Sequence, residues 1–429
     1  MGLSRRELIR LGLAGVCSPA LGCGDDAGIP PDAAADSVAD ADEPTYRGIS
    51  KGPWVQLLGP GQARIRFETR VDEAVGFRMQ RGGAQESLEP TRMPRELAYY
   101  RLPFGAMAVT DEVGLHVVHE VTISDLSAGD MVEWTTVAPD GTEAQGAFQA
   151  GAPAGAPFRF AWLADTSFPM ASDTVDVLAA QAPNLVLHGG DITYQPNFLD
   201  SWNLAMQSFA PLFRQAAMHF TVGNHEFEML DEITEQFDRL FAGQGEGHES
   251  GRFHAFTFGA VRFLVLDTES GSLESMDEPQ LAWLDAQLAD YEADEALSGL
   301  VPMFHRPVYT LSKHSPSSTV VRDLLHERFV RHGVQLVLMG HAHCYERFVV
   351  DGIHYVVDGG GGAALYDPDR EVEETDALRP GESELRVAVT KSRGGIIVDV
   401  STEGTMRLRR LQAEDGSVFD EVSIAARMT

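Results

Sequence analysis

A β-sandwich followed by a layered α/β domain is the architecture this sequence predicts, and three observations lead to it. Between about Ile49 and Gly151 the apolar residues fall in short alternating runs separated by Gly, Pro and Asp, with no amphipathic helix. After Ala152-Pro153-Ala154-Gly155-Ala156-Pro157 the pattern changes to short continuous apolar runs alternating with helical periodicity. The chain has 429 residues, 44% of them hydrophobic, which at roughly 150 residues per domain allows two or three domains with a large core.

The N-terminus predicts an address rather than a fold. Ser4-Arg5-Arg6-Glu7-Leu8 follows a basic start and precedes the apolar run Leu11 to Val16, far shorter than the roughly 20 residues that span a membrane. The pattern resembles a bacterial twin-arginine export signal. Ala20-Leu21-Gly22-Cys23 resembles a lipobox, with Ala20 where Leu is usual, which would make Cys23 the lipidated first residue of a periplasmic or cell-surface protein. Plain cleavage near Ala20 or Gly22, with release, is the alternative. Residues 24–48 are rich in Ala, Asp and Pro, with seven acidic residues between Gly24 and Pro44 and no basic one, a composition that cannot offset its chain entropy and predicts a disordered tether.

The expected sandwich covers residues 49–152. Ala63-Arg64-Ile65-Arg66-Phe67 and His116-Val117-Val118-His119-Glu120-Val121 alternate as strands do. Val121 to Leu126, followed by Ala128-Gly129 and then Trp134, resembles the strand, turn and aromatic strand of fibronectin type III-like domains. His116 and His119, three apart in a strand, point to opposite faces and are read as structural.

Residues 153–429 read as the α/β domain. Phe158 to Leu163, Asn184 to Leu187, His219 to Val222, Val261 to Leu266, Leu300 to Phe304 and Val334 to Leu338 are the buried strands, with Gly395 to Val400, Thr405 to Leu411 and Val418 to Ile424 as closing antiparallel strands. Between Gln280 and Asp290, Leu281, Leu284 and Leu288 share one helical face. The acidic, Pro-containing stretch Tyr366 to Glu384 is expected to be a surface insertion.

Five short motifs follow those apolar runs, where α/β sheets place their sites. They are Asp165, Gly190-Asp191-Ile192-Thr193-Tyr194, Gly223-Asn224-His225-Glu226, His305-Arg306-Pro307-Val308-Tyr309 and Gly340-His341-Ala342-His343. Each supplies oxygen or nitrogen donors, and the glycines let backbone approach whatever they hold. In this order the motifs resemble those of the calcineurin-like metallophosphoesterases, and within them the purple acid phosphatases, from roughly Trp54 onward.

The resemblance implies an α-β-β-α metallophosphoesterase domain with two metal ions. One would take Asp165, Asp191, Tyr194 and His343; the other Asp191, Asn224, His305 and His341, with Asp191 bridging. Donor chemistry agrees. Asp165-Thr166-Ser167 lacks the histidine most of the wider superfamily has at this point, and the hard, anionic phenolate of Tyr194 replaces it, which suits Fe(III). The second set is neutral apart from its share of Asp191 and suits Zn(II), Mn(II) or Fe(II). Such a pair polarises a phosphoester and activates water.

By the same resemblance His225 contacts phosphate or protonates the leaving group, unless it only orients Asn224. His314 matches a substrate-contacting position, unless it is a surface loop residue. Glu226 is read as a buttress, His188 as support behind the donors, and Cys344 as a buried thiol. With 33 basic against 64 acidic residues, a net charge of -31, nucleic acid is an unsuitable partner; a small phosphoester drawn to a locally cationic centre is suitable. The leading reading is an exported phosphomonoesterase using metal-bound hydroxide. The rivals are a phosphodiesterase or nucleotide-cleaving enzyme with the same site, and a non-catalytic surface-binding lipoprotein. Oligomeric state is not legible.

Overall fold

The computed structural model describes residues 47–99, 112–194, 199–226, 231–269, 276–312, 317–368 and 382–427. The expected export signal, Cys23 and nearly all of the tether lie outside them, as do His314 and most of the 366–384 stretch.

The strands expected from continuous apolar runs form, their ends unchanged or shifted by at most two residues, and they belong to two large sheets. One has ten strands, in the order Val418–Ile424, Met406–Gln412, Gly394–Val400, Phe158–Leu163, Leu185–His188, Ala217–Phe220, Ile49–Gly59, Gln62–Thr69, Glu112–Ile123 and Thr91–Tyr99. The other has eight: Glu246–Gly247, His254–Phe258, Val261–Val265, Gly299–Phe304, Leu336–Met339, Ile353–Asp358, Tyr345–Val350 and Arg386–Thr390. A four-stranded sheet, Ala84–Ser87, Gly76–Arg81, Met131–Val137 and Glu143–Gln149, completes the N-terminal β region. That region is not separate from the rest. Its strand Ile49–Gly59 pairs in parallel with Ala217–Phe220, so one sheet runs through both halves.

Alternation along the central strands sorts their side chains to two faces. Phe160, Trp162 and Leu187 meet Phe263, Met303 and Leu338 between the large sheets, and the same core continues to Val55 and Ile65 against Phe77, Trp134 and Phe148. On the outer face of the ten-stranded sheet, Ala161, Leu163 and Val186 pack on Trp202, Phe209 and Leu212, from the helices Leu199–Ser208 and Ala210–Phe213 and the residue joining them. On the far side, Leu264, Phe304 and Val337 pack on the helices Glu278–Ala293 and Thr319–Arg331 through Leu284, Leu288, Leu325 and Phe329. The layers are helix, sheet, sheet, helix, and each buried side chain of this size contributes about 1.5–3 kcal/mol.

The expected helix around Leu284 runs from Glu278 to Ala293 because Asp277 caps it, accepting from the Gln280 N–H at 3.1 Å, and Pro279 suits its first turn. His116 and His119 take opposite faces of their strand. His116 Nδ1 lies 3.1 Å from Glu68, while His119 stacks on Phe67 with its Nε2 2.8 Å from Thr69 Oγ1.

Candidate metal centre

Phe158–Leu163, Leu185–His188 and Ala217–Phe220 are parallel in one sheet, and Gly299–Phe304 and Leu336–Met339 in the other. The turns after their C-terminal ends carry Asp165, Asp191, Asn224, His305 and His341. These turns are tight enough that three of the residues sit in the left-handed region: φ is 59° at Asp165, 52° at Asp191 and 68° at His341. Non-glycine residues in that region cluster where surroundings over-determine the backbone, and Asp tolerates it better than most. Glycine is required beside them. A Cβ on Gly223 would lie 2.2 Å from Asp191 Oδ1, and one on Gly340 would lie 2.7 Å from Asp165 Oδ2.

All seven residues expected to bind metal come together. On one side, Tyr194 Oη lies 3.0 Å from Asp165 Oδ1 and 2.5 Å from His343 Nε2, which is itself 3.5 Å from Asp165 Oδ1. On the other, His305 Nε2 lies 3.0 Å from Asn224 Oδ1, 3.2 Å from His341 Nδ1 and 3.4 Å from Asp191 Oδ1. Donor atoms of Asp191, His305 and His341 all fall within 4.8 Å of one another. The His341 N–H joins the two sides by donating to Asp165 Oδ2 at 2.8 Å.

Backbone partners aim the imidazoles. His305 Nδ1–H donates to Gly189 O and His343 Nδ1–H to Ala364 O, both at 2.8 Å, so each Nε2 presents a lone pair inward. Imidazole, carboxylate, amide and phenol oxygens converging with lone pairs toward each other form a donor set that fits two metal ions.

The charges point the same way. Burial would push His305 down, but Asp191, Asp165 and Glu269 raise it to about 10. Against the upward push of burial, His305 and His225 hold Asp191 far below the usual carboxylate range. Burial together with Asp165 and Asp191 holds the Tyr194 phenol well above its ordinary value. A phenolate there needs a bound cation to compensate it.

The supporting residues act as buttresses. Glu226 accepts from the N–H groups of Asp191 at 2.9 Å, Gly223 at 2.8 Å and Ile192 at 2.7 Å, fastening two donor loops to one carboxylate. Burial and the neighbouring Asp191 push Glu226 up, and the N–H donors pull against them. The Gly190 N–H donates to His188 Nδ1, so His188 Nε2–H donates to Thr166 Oγ1 at 3.1 Å, and Thr166 donates to Ile192 O. Cys344 is a buried free thiol, its pKa pushed well up by burial.

His225 lies at the edge, its side chain 25% exposed, Nε2 3.9 Å from Asp191 Oδ2 and its ring centroid 4.4 Å from that of Tyr194. Its N–H donates to Asp191 Oδ1 at 2.9 Å.

Three neighbours were not foreseen. Arg306 is held by buried Glu269, Nε 3.1 and 3.0 Å from its two oxygens, and reaches to 3.3 Å from His341 Nε2. The available signals were an arginine directly after His305 and a glutamate just beyond the apolar run Val261 to Leu266. Tyr366, the first residue of the expected insertion, is drawn into the site: its ring stacks on His343 at 4.0 Å, while most of the 366–384 stretch lies outside the described residues.

Comparison with known proteins agrees with this geometry. Residues 158–345 match the family model for calcineurin-like phosphoesterases. Among curated relatives, the chain is 22% identical over 298 residues to the probable inactive purple acid phosphatase 9 of Arabidopsis thaliana, covering 59% of this chain and 45% of that protein. It is 26% identical over 252 residues to purple acid phosphatase 15 of the same plant, covering 49% and 46%. The matches thus span about half the length of these relatives. In fold, the chain resembles a purple acid phosphatase from yellow lupin (Lupinus luteus) seeds, with a TM-score of 0.66 and 16% identity over 89% of this chain and 74% of that one. Residues 158–345 thus carry a calcineurin-like phosphoesterase domain, and around it the chain is similar in sequence and fold to purple acid phosphatases.

Proposed function

We propose that the protein is an exported, metal-dependent phosphomonoesterase. The observation that carries this is the complete donor set: seven side chains on five strand-end turns, with His305 and His343 locked inward by backbone carbonyls. Asp165, Asp191, Tyr194 and His343 would hold an Fe(III), and Asp191, Asn224, His305 and His341 a Zn(II), Mn(II) or Fe(II). When bound, two such ions supply Lewis-acid polarisation of the phosphoryl group and a water-derived nucleophile. The chain supplies the rest. Asp191 is common to both sets, Glu226 keeps its loop in register with that of Asn224, and His225 stands at the rim with its Nε2 available to a phosphate oxygen or to the leaving group's proton. The acidic surface disfavours polyanions, which leaves small phosphoesters as substrates.

Export and lipid anchoring through Cys23 belong to the same proposal and rest on the N-terminal sequence pattern; among the described residues no helix is long and apolar enough to cross a membrane. The division at residues 152 and 153, and a fibronectin type III-like character for the N-terminal β region, are likewise our reading, supported by the turn-and-tryptophan pattern around Trp134.

Two measurements test the reading. Metal analysis of the purified protein is expected to give two ions per chain, with p-nitrophenyl phosphate cleaved in preference to its bis ester. A strong diester preference would replace the monoesterase assignment with a phosphodiesterase. Absence of bound metal would favour the non-catalytic alternative, to which the name of the Arabidopsis protein called probable inactive gives a concrete precedent. Second, the iron-loaded protein is expected to absorb visible light through tyrosinate-to-iron charge transfer, and Tyr194→Phe to abolish the band. A colourless, fully active protein with full iron occupancy would refute the Fe(III)-Tyr194 pairing.

A further inference from the structure

Within the site just proposed, and resting on that reading, one residue outside the donor set has a role that its place in the chain conceals. We infer that Tyr366 is a positioning residue for His343, the imidazole on the Tyr194 side of the centre. The rings stack with centroids 4.0 Å apart and planes 15° from parallel. The Tyr366 N–H donates to His343 O at 2.9 Å, and two residues earlier Ala364 O accepts the His343 Nδ1–H at 2.8 Å. Three contacts from one short segment therefore fix His343: its backbone, its tautomer and the plane of its ring. Tyr194 meets the same imidazole edge-on, at 5.3 Å and 85°. With one tyrosine across its face and another against its edge, the imidazole keeps its Nε2 directed at Tyr194 Oη and Asp165 Oδ1.

The segment is itself anchored. Arg386 donates to Pro368 O at 3.2 Å and to the buried carboxylate of Glu346 at 3.1 Å, so the chain just beyond Tyr366 is tied to the strand Tyr345–Val350 that follows His343. Stacking at this distance is sensitive to ring area and insensitive to the hydroxyl. The prediction is accordingly asymmetric between Phe and Ala.

The test compares Tyr366→Ala and Tyr366→Phe with the parent, all iron-loaded, and follows metal loss to a chelator together with the charge-transfer band. Tyr366→Ala is expected to lose the metal of the Tyr194 side at least about tenfold faster and to shift the band, as outer contacts of ligating histidines commonly change affinity by about 10- to 100-fold. Tyr366→Phe is expected to retain parental values of both. Urea midpoints of the three metal-free proteins are expected to agree, because Tyr366 is half-buried at the rim. Parental behaviour of Tyr366→Ala would overturn the inference, and so would a Phe variant as labile as the Ala variant. A parent without bound metal is a failure of the proposed function instead, and is seen before either variant is made.

Discussion

Asp191→Asn is expected to abolish the dinuclear centre, lowering kcat/KM by about 10³-fold or more, equivalent to about 4 kcal/mol, and leaving less than one metal per chain. Asp191 is the carboxylate expected to be shared by both donor groups: Oδ1 lies 3.4 Å from His305 Nε2, while its charge also acts on Tyr194. Asn keeps the side chain's size and tolerates the φ of 52° at this position, and the N–H bonds to Glu226 are made by backbone. The loop therefore retains its anchors while the shared charge is lost. The metal-free variant is expected to be less stable than the metal-free parent by up to about 3–5 kcal/mol, because His305 loses the charge that offsets its own, so metal content and kinetics are compared under conditions where circular dichroism shows both proteins folded. Elemental analysis and p-nitrophenyl phosphate kinetics check this. Retention of two ions with more than a tenth of parental activity would show that Asp191 does not bridge.

That centre could be read so far in advance because its donors lie in the turns directly after apolar runs, where residue type and local pattern coincide. Asp191 and Tyr194 are three apart, His341 and His343 two apart, and the strand ends put them on one edge without long-range information. Glu226 was legible as a buttress because it is two residues from Asn224, although its three N–H partners were not. Arg306, Glu269 and Tyr366 escaped for the opposite reason: each acts through a partner at least 23 residues away, and none stands in a repeating pattern. The parallel pairing of Ile49–Gly59 with Ala217–Phe220 escaped too. Parallel contacts over such separations leave no local signature beyond two apolar strands, so the N-terminal region read as a self-contained sandwich. Alternation in Ala63-Arg64-Ile65-Arg66-Phe67 marked two faces but not what covers the polar one. That cover is the helix Asp231–Phe241: Arg66 donates to Leu240 O at 2.8 Å and Arg64 to Ala242 O at 2.7 Å, capping carbonyls at its C-terminal end.

Beneath the same helix lies the group whose removal is expected to cost most stability. Glu68 is fully buried and bonded to Lys51, on the neighbouring strand, and to Arg239, on the helix, with Ser50 Oγ at 2.9 Å and His116 Nδ1 at 3.1 Å. One carboxylate thus serves two buried cations. Burial pushes its pKa up, but Lys51 and Arg239 outweigh this and hold it well below the usual range. Glu68→Gln leaves both cations uncompensated and is expected to cost about 3–5 kcal/mol. Lys51→Met leaves the Glu68–Arg239 pair balanced, and is expected to fall within about 1 kcal/mol of the parent or to exceed it. The double variant should recover part of the Glu68→Gln loss. The pH dependence carries two signs. Because the Glu68 pKa is depressed on folding, its contribution is present above the ordinary carboxylate value of 4.5 and is lost as pH falls through the folded value. Burial lowers Lys51 from 10.5 to about 8, so the unfolded chain holds that proton longer and parental stability rises between those values, a rise that Lys51→Met removes. Urea unfolding of the four proteins across pH tests both signs. Equal losses in the two single variants would mean that the carboxylate and the lysine form a simple pair, and that Arg239 contributes no competing charge.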